Sequence, residues 1–322
     1  MASTPRRRAL LALSAAALAA PLLAQAPAHA RPVAAPDPVA RAQATSAALE
    51  QKVRAFWTRE RMLSATPMER LLNPTSAQRR TLSRAQGPGL VAPLAFPYGG
   101  GTWTGGGQVV RTTGRVFFTY QGRTASCSGS AVISQNRSTV ITAGHCVKLD
   151  GAWHTNWVFV PGYDNGNAPY GTWTARQTLA TAQWAASENI TYDVGAAVLN
   201  PLNGQYLTDV VGGQAIGFNQ SRTQPMYAFG YPAAAPYDGS TLTYCSGTTS
   251  SSLLYGSIGL VCDMTGGSSG GPWFSGFDES TGTGTLNSVN SYRLNFPLLD
   301  RYMYGPYFGS EAQALYQQAQ TA

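Results

Sequence analysis

The sequence is poor in the residues that usually carry chemistry. Its 322 residues include three histidines and four cysteines, and charged side chains make up 11% of the chain. No Cys-x-x-Cys or His-x-x-x-His spacing occurs. A tetrahedral zinc site needs four nitrogen or sulfur donors at such spacings, so no metal and no cofactor is expected. Beyond the first 30 residues there is no second long apolar run, so no membrane anchor is expected either. Basic charge is scarce in the later part of the chain. Thirteen of the 22 Lys and Arg lie in residues 1–95, against four of the 15 Asp and Glu. The remainder carries nine basic and eleven acidic side chains, although the whole chain is formally +7. A nucleic-acid partner argued from basicity is therefore excluded.

Three stretches differ in composition. Residues 1–30 hold Arg6, Arg7 and Arg8, an Ala/Leu-rich core from Ala9 to Ala24, and Ala28-His29-Ala30. That is the pattern of a secretory signal peptide with a small-residue cleavage site, which makes the protein secreted and extracellular. Residues 31–95 are rich in Ala, Arg, Pro, Gln and Ser, with helical spacing at Leu49, Val53 and Phe56, then Met62 and Leu63. They read as an amphipathic helical pro-segment or a partly disordered linker, outside the pattern of the rest. Gly99–Gly101 and Gly105–Gly107 read as a joint where a processing enzyme can reach.

Residues 96–322 show many short strands. Val116, Phe118 and Tyr120 alternate, Gln121-Gly122 makes a turn, and Ala131-Val132-Ile133 returns, which reads as a hairpin. Similar runs recur to the end. With 35 glycines and few charges the pattern is all-β. Residues 309–320 read as a terminal helix, with Ser310 as N-cap and Glu311 in the first turn.

Within this pattern Cys262–Trp273, CDMTGGSSGGPW, suits neither helix nor strand, because glycine is costly to order and proline lacks a donor. It suits a tight loop in which a hydroxyl and backbone N–H groups converge, as acyl transfer requires. His145 closes the β-branched run Thr139–Thr142, and Asp193 precedes the apolar run GAAVL. Gly267-Ser268-Ser269-Gly270-Gly271 also fits the nucleophile elbow of α/β-hydrolases. That fold needs a histidine after the serine, and none follows Ser269.

TAGHC, YDVGAAVL and GGSSGGPW, in that order, resemble the three catalytic blocks of the chymotrypsin-like serine peptidases. The likeness is to the secreted bacterial trypsin-like branch that includes the glutamyl endopeptidases, over about residues 105–305. The resemblance implies two six-stranded Greek-key β-barrels and an endopeptidase that acts on protein or peptide substrates as a monomer. It gives His145 the general-base role, Asp193 the orienting role and Ser269 the nucleophile, with the Gly267 and Ser269 N–H groups as oxyanion hole. It also implies a Cys127–Cys146 disulfide, and sequence closeness pairs Cys245 with Cys262. Each bridge would stabilise by about 3 kcal/mol through the unfolded state. Asp263, six residues before Ser269, falls where trypsin-like enzymes keep the carboxylate that selects Arg or Lys. The alternative is that Asp263 caps a backbone turn.

Two departures stand out. Ser268 replaces the aspartate that pairs with a new N-terminus in animal digestive members, so activation by an inserted amino group is not expected. No histidine lies downstream of Ser269 to read a substrate glutamate, which disfavours glutamyl specificity. The alternative function is a protease-fold binding or adhesion protein without turnover. Such homologues show a replaced triad residue, and none is replaced here. His154, in GAWHTNW, reads as a loop or strand-edge histidine.

Overall fold

The computed structural model describes residues 1–2, 34–71, 96–252, 255–294, 296 and 299–322. The chain divides into a unit of residues 1–34 and a unit of residues 35–322. Among the described residues every helix and strand lies in the second unit. The signal-peptide reading, apart from residues 1–2, and residues 31–33 and 72–95 of the expected pro-segment or linker lie outside the described residues. Among the described residues no helix is long and apolar enough to cross a membrane.

The unit begins with β1 (Val39–Ala42), α1 (Ala47–Phe56), α2 (Arg59–Ser64) and β2 (Thr66–Pro67), followed by a 3-10 turn over Met68–Leu71. Ser46 and Thr58 cap the two helices, their hydroxyls accepting from Leu49 and Arg61 N–H. The expected helical spacing is therefore real, but the segment is not outside the barrel pattern. β1 pairs with a barrel strand through Val39 to Ala42, and β2 runs parallel to another.

Next come β3 (Tyr98–Thr102), α3 (Gln108–Thr112), β4 (Thr113–Tyr120), β5 (Arg123–Val132) and β6 (Thr139–Thr142). The short pair β7 (Lys148–Leu149) and β8 (Ala152–Trp153) precedes β9 (Thr155–Pro161), β10 (Trp173–Ala180), α4 (Ala182–Ser187) and β11 (Gly195–Leu199). Strands in the order β10-β11-β6-β5-β4-β9 form a barrel, closed where β9 pairs with β10. The β4–β5 hairpin turns at Gln121 and Gly122, both at positive φ, as the twist of a two-residue hairpin requires. β4 is buried on both faces rather than alternating. Its Phe117 packs against Trp57 at the end of α1, ring centroids 5.5 Å apart.

The second half contains α5 (Leu207–Val211), β12 (Ala215–Ile216), β13 (Pro225–Gly230), β14 (Thr243–Thr248), β15 (Ser250–Ser251) and β16 (Ile258–Val261). It ends with β17 (Pro272–Asp278), β18 (Thr283–Val289), β19 (Tyr302–Gly305) and α6 (Ser310–Thr321). A six-stranded sheet β12-β18-β17-β13-β14-β3 is accompanied by a three-stranded sheet β15-β16-β19. The Cys245–Cys262 bridge ties the two together, and Cys127–Cys146 ties β5 to the turn after β6. The fold is thus the expected all-β chymotrypsin-like two-barrel architecture with a short C-terminal helix.

Two expectations are corrected. Gly99–Gly101 is not an open joint but part of β3, paired with β14 through Gly101↔Tyr244 and Thr102↔Thr243. Glycine is needed there for close packing: a Cβ on Gly100 would fall 1.6 Å from Asp263 Oδ1. Ser310 is the first residue of α6 rather than its cap. Gly309 holds the cap position, and the Ser310 hydroxyl turns to Glu311 instead.

Candidate active site

The register of β6 against β11 builds the first half of the site. Thr142 pairs with Gly195, so the residues just past the end of β6 face those just before β11. A 3-10 turn over Gly144–Cys146 then presents His145, and another over Ile190–Tyr192 delivers Asp193. Gly144 is required because a Cβ there would lie 2.6 Å from the Trp184 ring. Asp193 holds His145 at two points. Its Oδ2 is 2.7 Å from His145 Nδ1, and its Oδ1 accepts the His145 backbone N–H at 2.8 Å. Both residues are buried.

The second half is the loop before β17. The Ser269 carbonyl accepts from Ser128 N–H at 2.7 Å, and the Ser128 hydroxyl donates to the Gly267 carbonyl at 2.9 Å. Gly270 and Gly271 are clasped by Asn290 through two backbone hydrogen bonds. At φ +79°, Gly270 leaves no room for a side chain, since its Cβ would lie 2.1 Å from Thr142 Oγ1. The serine loop is thereby locked to β5 and β6 of the first barrel, which brings Ser269 to the His145 side. Ser268 hydrogen-bonds the Thr265 carbonyl at 2.7 Å, so its hydroxyl is satisfied locally.

Reading the sequence missed several members of the site. Ser291 donates to Asp193 Oδ2 at 2.5 Å, reaching from the end of β18 into the first barrel. No local pattern around Ser291 distinguishes it from the chain's other serines. His154 lies in the connection between β8 and β9, as its loop or strand-edge reading expected, but it is buried there. Its Nε2 donates to the His145 carbonyl at 2.9 Å, and its ring stacks on Phe118 with centroids 4.2 Å apart. Burial pushes its pKa down to about 3, so it is neutral at ordinary pH.

Glu69 is the largest surprise. Its Oε2 accepts the Gly267 N–H at 2.8 Å, its Oε1 accepts the Ser269 hydroxyl, and Oε1 lies 3.9 Å from His145 Nε2. Burial pushes this carboxyl up, but the contacts with His145 and Ser269 outweigh it and hold the group below its ordinary value.

Asp263 sits between Gly99–Gly100 of β3 and the hydroxyl of Tyr237, which donates to Asp263 Oδ1 at 2.7 Å. Burial pushes its carboxyl up, opposed by the Tyr237 hydrogen bond and the charge of Arg293. Arg293 itself reaches the carbonyls of Cys262 and Met264, on either side of Asp263. Among the described residues the one cluster with metal-ligand character is Cys127, His145 and Cys146. Both cysteines are joined in a disulfide, so neither offers a thiolate.

Two solved structures match about two thirds of the chain. Protease Anisep from Arthrobacter nicotinovorans is 46% identical, covering 66% of this chain and 96% of that one, with a TM-score of 0.62. The thermostable serine protease AL20 from an extremophilic microorganism is 42% identical, covering 67% and 99%, with a TM-score of 0.63. The chain belongs to the chymotrypsin-fold family of bacterial serine proteases. A Glu endopeptidase shares the fold at 14% identity and a TM-score of 0.55, covering 70% of this serine protease and 97% of that chain. Among curated proteins, the Extracellular metalloprotease of Bacillus subtilis (strain 168) is 37% identical over 78 residues, so the protease spans about a quarter of that relative. No family model matches the sequence.

Proposed function

We propose that the protein is a secreted serine endopeptidase using Ser269, His145 and Asp193. The observation that carries this is the double hold of Asp193 on His145. It fixes the Nδ1–H tautomer and leaves Nε2 as the base. Ser269 Oγ attacks the scissile carbonyl as His145 Nε2 takes its proton. The oxygen that becomes negative is received by the Gly267 and Ser269 N–H groups. Collapse breaks the C–N bond, His145 protonates the leaving amine, and an acyl-enzyme remains. Water, deprotonated by His145, then attacks the acyl carbon, and the Ser269 ester breaks to release a carboxylate product. A fluorophosphonate should label Ser269 once the pro-segment is removed, and an unlabelled but folded protein would favour a binding role instead.

The reading extends to the residue before the scissile bond. Asp263 would form the floor of that pocket and favour Arg or Lys through charge-assisted hydrogen bonds. Tyr237 and Arg293 already engage it, so the preference would be weaker than for an uncompensated carboxylate. Residues 1–30 would act as export signal and 31–95 as a pro-segment removed from the working enzyme.

A further inference from the structure

Glu69 contributes nothing to the triad, yet its carboxylate spans the groups that the triad reading assigns to catalysis. One oxygen takes the Gly267 N–H, and the other takes the Ser269 hydroxyl beside His145 Nε2. The carboxylate packs closely on Gly266, where a Cβ would lie 2.9 Å from Oε2. Glu69 is nearly enclosed, its side chain 8% exposed. The geometry points to a carboxylate-binding site made by Gly267 N–H, Ser269 Oγ and His145, with Glu69 of the same chain as the ligand that keeps the protease latent. This inference rests on the catalytic roles proposed above.

The segment is shaped to block the site without being cut there. A carboxylate is not electrophilic towards serine, and the group in the hole is a side chain, not a peptide carbonyl. The backbone at Glu69 lies in a 3-10 turn rather than an extended strand. Chain direction matters as well. β2 runs parallel to β5 at Thr66↔Ala125 and Pro67↔Ser126, close to Cys127 and hence to the Cys127–Cys146 bridge beside His145. That is the side from which a leaving amine departs, because His145 protonates it. In a substrate the residues on that side follow the scissile carbonyl, whereas Thr66 and Pro67 precede Glu69. The segment therefore crosses the cleft in the sense opposite to a substrate.

It is also fastened elsewhere. β1 pairs with β10, Trp57 Nε1 donates to the Asn156 carbonyl at 2.6 Å, and Arg123 donates to the Leu71 carbonyl at 3.3 Å. Met62 and Met68 are buried on either side of β2 in sequence. These anchors hold Glu69 at high effective concentration against the site.

The test follows fluorophosphonate labelling of Ser269 in the unprocessed secreted chain, its Glu69→Ala and Glu69→Gln variants, and the processed enzyme. Gln serves as a second probe because its amide cannot accept both hydrogen bonds. The processed enzyme should label rapidly and the unprocessed wild type at least about 100-fold more slowly. Either substitution should recover at least about tenfold of that loss, the scale of losing charge-assisted contacts. A synthetic peptide of residues 64–71 should inhibit the processed enzyme competitively, and its Glu69→Gln form should do so at least about tenfold more weakly. Unprocessed wild type that labels as fast as processed enzyme would overturn the inference. So would Glu69 variants as silent as wild type, or equal inhibition by the two peptides. A processed enzyme that does not label would instead remove the catalytic reading itself, a failure visible without any Glu69 variant.

Discussion

Asp193 binds His145 twice, one carboxylate oxygen on the ring Nδ1 and the other on the backbone N–H of the same residue. The side chain therefore fixes both the tautomer of the imidazole and the position of the turn that carries it. Asp193→Asn retains the shape, but its single carbonyl oxygen cannot accept from both Nδ1–H and the backbone N–H of His145. Peptide hydrolysis by the processed variant should fall by about 10⁴ in kcat, with a thermal midpoint near wild type. Retention of a tenth or more of wild-type activity would argue that Asp193 is only a structural residue.

Ser291 gives a milder prediction. Its hydroxyl donates to Asp193 Oδ2, which already meets His145. Ser291→Ala should lower kcat by about tenfold while leaving KM nearly unchanged, the pattern of a positioning residue. A change confined to KM would place Ser291 in substrate binding instead.

His154 predicts a pH effect on stability. Its pKa is about 6.5 when unfolded and about 3 when folded, because burial disfavours the charged imidazole. Between these values the unfolded chain binds more protons, so stability rises with pH and is lost as pH falls from 6.5 towards 3. In a Ser269→Ala background, which prevents autolysis, His154→Gln removes this titration. Urea midpoints of the two proteins should converge on acidification, closing a gap on the order of a few kcal/mol. A gap that stays constant over pH 7 to 4 would contradict the assignment.

The pocket at Asp263 is tested with peptides differing only in the residue before the cut. Asp263→Ser should lose Arg and Lys cleavage selectively, by about 10- to 100-fold, while apolar cleavage is retained. Arg293→Ala should raise Arg and Lys cleavage by leaving the Asp263 charge uncompensated. A wild type with no basic preference returns Asp263 to the turn-capping role.

The mature N-terminus follows from β3. Ser268 provides no carboxylate for an inserted amino group, so the enzyme should tolerate many start points after residue 85. The limit is Tyr98, where pairing with β14 begins. Forms starting at 86, 90 or 96 should have similar activity, and one starting at 105 should unfold at lower urea. Strict dependence on a single start residue would show that the terminus itself completes the site.

The three proposed triad residues could be picked out of the sequence because each sits in a short block whose turn chemistry is local. His145 follows a β-branched run, Asp193 precedes an apolar one, and Ser269 lies among glycines needed for close packing. Both disulfides were legible for a similar reason, since each closes a short loop. Glu69 was not, because its role depends on where helices α1 and α2 dock rather than on its neighbours in the chain. The docking itself depends on Trp57 covering Phe117, a contact no periodicity records. Gly99–Gly101 misled in the other direction. The run looks like a hinge, but it is strand, and Gly100 within it is small so that β3 can lie against Asp263.

The central claim is that Ser269 forms an acyl-enzyme with His145 as its base. It is tested most directly by trapping that intermediate on the processed enzyme with a slowly deacylating ester substrate and locating the adduct by mass spectrometry. The expected result is one acyl group per chain on Ser269, absent in His145→Ala and in Ser269→Ala. An adduct on Ser268, or full peptidase activity with no adduct on any serine, would contradict it.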